Sequence, residues 1–435
     1  MIPATVPCGD PGAYLAARLP VFALAAGSVA ALTGAVDRLD VVHGREPRSW
    51  RLDPERIAAS FASDRLLRVS GAPVSGFAEL SGFFAAADGW VRTHANYPHH
   101  RARLLEALGL PDGSGRDAVA ARITRMTAAE VEDRAAAAQA VAVRVRTEDE
   151  WAASPQGAAA ASGELVSTVV HDGSSRPGPG HRSRRVPGVT SLSGVRVLDL
   201  TRVIAGPVAT RTLALLGAEV LRIDPPSLPE IVVQHRDTGQ GKRSALLDVR
   251  SADGRHVWDS LLAEADVVVA GYRPGALDGL LDHAPGPLVR ARVCAWGGSG
   301  PWAHRRGFDS IVQAATGIAR IEGGDTPGAL PAQALDHATG YLLAAGIVDA
   351  LAAGHGDGRG RSVDVSLART GAWLLRADGR SEDPPPAAVP GPGCLVTHGD
   401  LATARPALTE FDDYPFPARA WGGDTPAWAG LTPGP

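Results

Sequence analysis

The chain has 435 residues, 45% of them hydrophobic, and a formal net charge of -4. That length and apolar content can bury a large core and divide into two or three domains, and the scattered basic residues exclude an electrostatic footprint for nucleic acid or an anionic membrane. Cys8, Cys294 and Cys394 are far apart and form no CxxC pair, which argues against a disulfide framework or a structural zinc site and fits a reducing, cytoplasmic setting.

Residues 1–75 mix an alanine-rich helical pattern with the short alternating run RLLRVSG and carry no motif with attached chemistry. The apolar stretch from Tyr14 to Val36 contains Arg18 and Pro20 and has no positive leader region, so a core helix is expected there, not a membrane span. Residues 76–170 form the next segment. A turn at Asp88-Gly89 leads into the strand WVRTHA, then into an amphipathic helix with Leu104, Leu105 and Leu108 on one face. The helical pattern is expected to continue through RDAVAARITRMTAAEVEDRAAAAQAVAVRVRTEDEWAA, with alternating charges on a solvated face. His94, His99 and His100 cluster here, but no carboxylate or cysteine stands at ligand spacing, so a polar loop is expected and no metal.

Residues 171–190, rich in Gly, Pro, Ser and Arg without an apolar period, read as a linker. The segment 191–376 then opens with GVRVLDLTRVIAGPVATRTLALLGAEVLRIDPP, a strand, a helix and a second strand, which is a βαβ unit and implies a parallel sheet. Further alternation through SALLDV, DVVVAGY and LVRARVCAWG gives an open α/β sheet of the Rossmann type, with ligands expected at the carboxyl ends of its strands. No GxGxxG follows the first strand and no GxxxxGK[ST] occurs in this half, so nicotinamide, flavin and P-loop chemistry lack their phosphate cradle. The lone lysine, Lys242, survives in a chain whose other basic residues are arginines, and its compact ammonium can do what a planar guanidinium cannot. Residues 377–435, proline-rich and then aromatic, are expected to form an extended strap on the core.

The centre of this half is ALDHATGYLLAAGIVDALAAG, residues 334–354. Asp336 precedes a long apolar helical pattern, where the helix N-terminus favours an ionised carboxylate able to attack an acyl carbon. The same position is also that of an ordinary N-cap. Asp309, after Phe308 and before SIVQAATG, stands at a second predicted N-cap.

Six blocks in order, GVRVLDLTRVIAGPVATRTLALLGAEVLRIDPP, GKRSALLDV, ADVVVAGYRPGAL, WGGSGPWAHRRGFDSIVQAATG, ALDHATG and GRGRSVDVSLARTG, resemble the family III CoA-transferases of the CaiB/BaiF type. These include formyl-CoA transferase, carnitine CoA-transferases and α-methylacyl-CoA racemase. The resemblance implies a Rossmann-like large domain with a smaller α+β domain, an interlocked homodimer, and coenzyme A thioesters and carboxylic acids as substrates with no tightly bound cofactor. It places the nucleophile on Asp336, with Phe308, Asp309 and His337 beside it. It also sets Val203, Ile204 and Ala205, then Gly271, Tyr272 and Arg273, along the CoA nucleotide, with Arg236 as the only candidate for the family's nucleotide arginine.

Two departures stand out. The small-domain-like segment precedes the large domain, as in a rearranged gene or the remnant of one copy in a fused tandem. The glycine-rich loop of the family's small domain has no counterpart between Gly76 and Glu164. An acyl-CoA racemase needs a second proton carrier where Phe308 stands, although His304 and His337 are near in sequence. The remaining alternative is a non-catalytic CoA-binding partner that keeps the fold.

Overall fold

The computed structural model describes residues 6–171 and 190–429, apart from 274, 276, 282, 283, 285 and 286; the expected linker therefore lies outside the described residues except at its ends. A seven-stranded sheet holds β1 (Ser167–Val170), β2 (Arg196–Leu200), β3 (Glu219–Asp224), β4 (Lys242–Leu246), β5 (Val267–Ala270), β6 (Val289–Cys294) and β7 (Arg361–Ser366). Their spatial order is β1-β7-β6-β5-β2-β3-β4. Strands β2 to β7 pair in parallel, and β1 runs antiparallel along the β7 edge. Central strands β2 and β5 are buried along their whole length, as a parallel sheet covered on both faces requires. After β4 the chain returns to the other side of β2, so the order reverses between β2 and β5 and opens a crevice beyond their carboxyl ends.

Two helices organise one face. Helix α2 (Ala205–Leu215) follows β2, and α4 (Ala334–Asp357) packs across it and against α1 (Val21–Val42). A Cβ on Gly340 would stand 2.6 Å from the Ala205 carbonyl oxygen and 2.9 Å from Val208, so only glycine lets α4 lie this close to α2. That contact brings the first turn of α4 beside the loop after β2. Helix α1 is apolar over 22 residues, but Leu24, Val29, Leu32 and Val36 are buried inside the protein, which makes it a core helix.

The segment before the large sheet forms a smaller α+β unit. Its antiparallel strands Gly82–Ala86, Gly89–Thr93 and Ala142–Arg144 pack with the helices Pro98–Leu108, Arg116–Ile123 and Ala128–Ala137 around Leu104, Val119 and Val131. The long helix expected from Arg116 onward is in fact broken. Thr127 caps a new start by accepting from the Glu130 N–H, Gln139 takes φ 55, and the alternating VAVRV then pairs as a strand.

The chain end ties these layers together. Leu395–His398 and Leu401–Ala404 form a small sheet with Arg68–Val69 and Ala72–Pro73. Beyond it, the Asp424 N–H donates to the Ser244 carbonyl at 2.8 Å and its carboxylate accepts from the Ser244 N–H at 2.9 Å. This covers the otherwise unpaired edge of β4.

Candidate active site

The loop between β2 and α2 is pinned from below. Lys242 Nζ donates to Asp199 Oδ2 at 2.9 Å and to Thr210 Oγ1 at 3.0 Å, and lies 3.4 Å from the Pro207 carbonyl oxygen. Asp199 also accepts from the Thr201 and Thr210 hydroxyls, at 2.5 and 2.6 Å. Burial lowers the Lys242 ammonium to about 8, while burial's opposite push on Asp199 is overcome by Lys242, Arg222 and the two hydroxyls, which hold its carboxyl low. Three acceptors around one compact ammonium explain why a lysine stands here: it is a structural tie, away from the cavities.

Above that tie the backbone is strained. Val203 adopts φ 71, a left-handed conformation that a β-branched side chain rarely takes, and Val203 and Ile204 line two cavities that meet at Asp336.

Asp336 is not an N-cap. Helix α4 begins at Ala334 after Gln333, which makes no side-chain cap, so Asp336 is the third helical residue. The capping oxygen comes from elsewhere. Asp309, the first residue of α3 (Asp309–Ala315), accepts the Asp336 N–H on Oδ2 at 2.9 Å, while Gln313 donates to its Oδ1. Gln313 is itself fixed by the Leu330 N–H, which donates to Oε1 at 2.9 Å. Asp309 therefore ties the first turn of α4 to α3, and burial raises it to about 6. Burial raises Asp336 well above the usual carboxylate range, and the nearby carboxyls of Asp309 and Asp64 add to that rise.

The first cavity, about 370 Å³, opens from Asp336 over the carboxyl ends of β2 and β5. Val203, Ile204, Ala205, Gly271, Tyr272 and Arg273 all line it. Arg202, Arg305 and Arg306 join Arg273 on its walls. Arg273 and Arg306 have no carboxylate partner among the described residues; Arg306 donates instead to the Gln139 carbonyl at 2.9 Å. Burial, then Arg103 and Arg273, lowers Arg306 to about 10. An anion there would relieve that repulsion. The smaller α+β unit supplies the facing wall through Tyr97, His99 and His100. Tyr97 Oη donates to Glu230 Oε1 at 2.5 Å, and Glu230 accepts from Arg222 at 2.8 Å, so the two units share a buried polar network at the cavity rim.

The second cavity, about 30 Å³, lies on the other side of Asp336 and Phe308. Asp64, Asp237 and His94 line it, with the His94 ring stacked on Phe308 at 3.8 Å.

Two candidates from the sequence fall elsewhere. Arg236 lines neither cavity and lies 3.6 Å from Asp400 at the surface, whereas Arg202, Arg273, Arg305 and Arg306 line the larger one. His337 is fully buried against Phe61, at 5.3 Å between rings, and burial lowers it to about 3; it faces neither cavity. Arg202 and the Arg305-Arg306 pair could have been found beside blocks already singled out. Asp64 and His94 could not, because their approach to Asp336 is made by chain segments more than 200 residues away.

Comparison with known proteins places these features. Residues 192–386 match the model of CoA-transferase family III. That match covers a little under half of the chain, and it is this segment that resembles CoA-transferase family III. Curated relatives include a formyl-CoA:oxalate CoA-transferase of Streptomyces coelicolor, 30% identical over 55% of this chain and 60% of its own length. A succinyl-CoA:glutarate CoA-transferase of Mus musculus is 31% identical over 40% of this chain and 45% of its own length. The chain spans 40 to 60% of the length of the first curated relatives it matches. A CaiB/BaiF family protein from Brucella suis, 28% identical, aligns over 42% of this chain and 55% of its own with a TM-score of 0.40. The matched segment contains Asp336, Asp309 and all four cavity arginines; Asp64, His94 and Tyr97 lie outside it.

Proposed function

We propose that this protein is a CoA-transferase that moves coenzyme A between carboxylic acids, with Asp336 as nucleophile. The observation that carries the reading is the position of Asp336 on the walls of both an arginine-lined cavity at the carboxyl ends of the strands and a much smaller pocket. The four arginines suit the phosphates of coenzyme A, and the N-terminus of α2, with Ala205 and Gly206 on the cavity wall, adds N–H groups and a positive dipole end.

In the proposed reaction an Asp336 carboxylate oxygen attacks the thioester carbonyl, the C–S bond breaks, and a mixed anhydride forms as the thiolate leaves. The thiolate then attacks the aspartyl carbonyl, releasing the donor acid as its carboxylate and leaving an aspartyl-CoA thioester. The acceptor carboxylate reverses both steps on its own behalf. Its oxygen displaces the thiolate, and the thiolate takes the acceptor's acyl carbon and frees Asp336. The carboxyl must be ionised to attack. Burial and the two nearby carboxyls oppose ionisation, so the attacking fraction grows with pH. Asp309 is a positioning residue that holds the first turn of α4. The interlocked homodimer belongs to the same reading and is checked by the mass of the protein in solution.

Incubation with an acyl-CoA donor should leave an acyl or CoA adduct on Asp336 that hydroxylamine removes. A racemase would instead exchange the substrate's α-proton with deuterated solvent and accumulate no covalent species, with His94 as a candidate proton carrier in the small cavity. A protein that only binds CoA would show neither.

A further inference from the structure

The small cavity differs in chemistry from everything around it. Fifteen residues line it and none is a lysine or arginine, whereas three, Asp64, Asp237 and Asp336, are carboxyls. Its volume of about 30 Å³ is room for roughly two or three water-sized groups. Leu67, Val74 and Phe77 from the N-terminal part of the chain line it as well, and its volume is what limits the length of an acyl chain it can hold.

The walls also carry polar atoms that the protein leaves unpaired. Asp237 is 2% exposed, and its Oδ2 accepts from the Ser63 hydroxyl at 2.7 Å; its Oδ1, 3.9 Å from Arg211, makes no hydrogen bond. His94 is 4% exposed with Nδ1 unpaired, and Asp64 Oδ1 and Gln234 Oε1 are buried without partners. Buried polar atoms cost free energy unless they find a hydrogen-bond partner, and here most of them are acceptors. The complementary group is a hydroxyl, which donates and fits two or three heavy atoms. A carboxylate is the opposite case: it brings only acceptors and a negative charge to a wall of carboxyls with no cation to meet it.

We propose that this cavity is the acyl subsite and that it selects short hydroxylated acyl groups over dicarboxylic and long-chain ones. The inference rests on Asp336 as nucleophile. Hydroxyacyl groups of two or three carbons seat the carbonyl against Asp336 and direct the hydroxyl toward Asp64 and Asp237. Asp64 thereby becomes a specificity-determining residue, contributed by a part of the chain that lies outside the family III segment.

The test measures adduct formation and kcat/KM with acetyl-, propionyl-, 2-hydroxyacetyl-, 3-hydroxypropionyl-, succinyl- and octanoyl-CoA. The hydroxyacyl thioesters should exceed acetyl-CoA by about tenfold, the effect of satisfying buried polar groups with a substrate hydroxyl. Succinyl- and octanoyl-CoA should be the poorest donors. Asp64→Asn should shrink the ratio of hydroxyacetyl to acetyl kcat/KM toward one, read at the pH optimum of each variant, and Gln234→Leu on another wall should lower the same ratio if the first variant fails to fold. Equal or better use of succinyl-CoA, with the Asp336 adduct intact, would overturn the subsite assignment and leave the transferase reading standing. Absence of an adduct with every thioester would remove both.

Discussion

The two cavities that meet at Asp336 are built from the same loop and the same phenylalanine, yet they are opposites. One holds about 370 Å³ and four arginines; the other holds about 30 Å³, three carboxyls and no cation. A carboxyl between them feels both. Burial first, and then the carboxyls of Asp309 and Asp64, raise its pKa, and the large basic side is where an anionic thioester would bring its carbonyl. The contrast shows how one carboxyl can be disfavoured as an anion by its surroundings and still face a cavity lined by cations.

The largest effect should come from removing the residue that divides the cavities. Asp336→Asn keeps the side chain's shape but not its attacking oxygen, so transferase turnover should fall by about a thousandfold or more while thioester binding persists. Retained turnover would mean that the wall between the cavities is not where the chemistry occurs.

Next comes the tie beneath the shared loop. Lys242→Met would leave Asp199 buried without its cation, at a cost of about 3–5 kcal/mol, read as a lower urea midpoint. Lys242→Arg should also destabilise, because a planar fork cannot replace a point charge among three acceptors. A neutral result would detach the strained turn at Val203 from this network.

The basic cavity gives a smaller effect of a different kind. Arg306→Ala and Arg273→Ala should each raise the KM for acyl-CoA about 10- to 100-fold with little change in kcat, and should reduce its dependence on salt. A fall in kcat alone would place the nucleotide elsewhere.

The carboxyls around Asp336 give the smallest effect and the sharpest sign. Asp309→Asn and Asp64→Asn each remove a negative charge that disfavours ionisation of Asp336, so the pH at which activity rises should move down. The groups around Asp336 that bear on this profile are Asp309, Asp64, Asp237, His94 and Arg92. Stability carries the same sign. A carboxyl whose folded pKa is raised contributes its stability below the unfolded value and loses it as pH climbs through the folded one. Asp336→Asn should therefore raise the melting temperature at pH 8 more than at pH 4. No difference between the two pH values would deny the carboxyl cluster its strain.

Much of the arginine-lined side was legible in the sequence, because its parts lie at strand ends. The family resemblance singled out VIA after β2 and GYR after β5, and the doubly wound rule independently expects a crevice at those strand ends. The acidic side was not legible. Asp64 sits in a four-residue helix with no periodic pattern, and it reaches Asp336 only because α1 packs on α4 and Ser63 bonds to Asp237. The capping roles were misassigned for a related physical reason. Local sequence shows an aspartate ahead of a helix, but the helix that Asp309 caps is not its own. Lys242 was marked by its rarity, and only the three oxygens around it reveal that its work is structural.

The central claim is that Asp336 bonds covalently to substrate, and intact-protein mass measures it directly. After incubation with a panel of acyl-CoA donors, the account predicts added mass equal to an acyl group or to coenzyme A, mapped to the peptide holding Asp336, removed by hydroxylamine and absent in Asp336→Ala. Deuterium entering the recovered thioester with no added mass on the protein would contradict it.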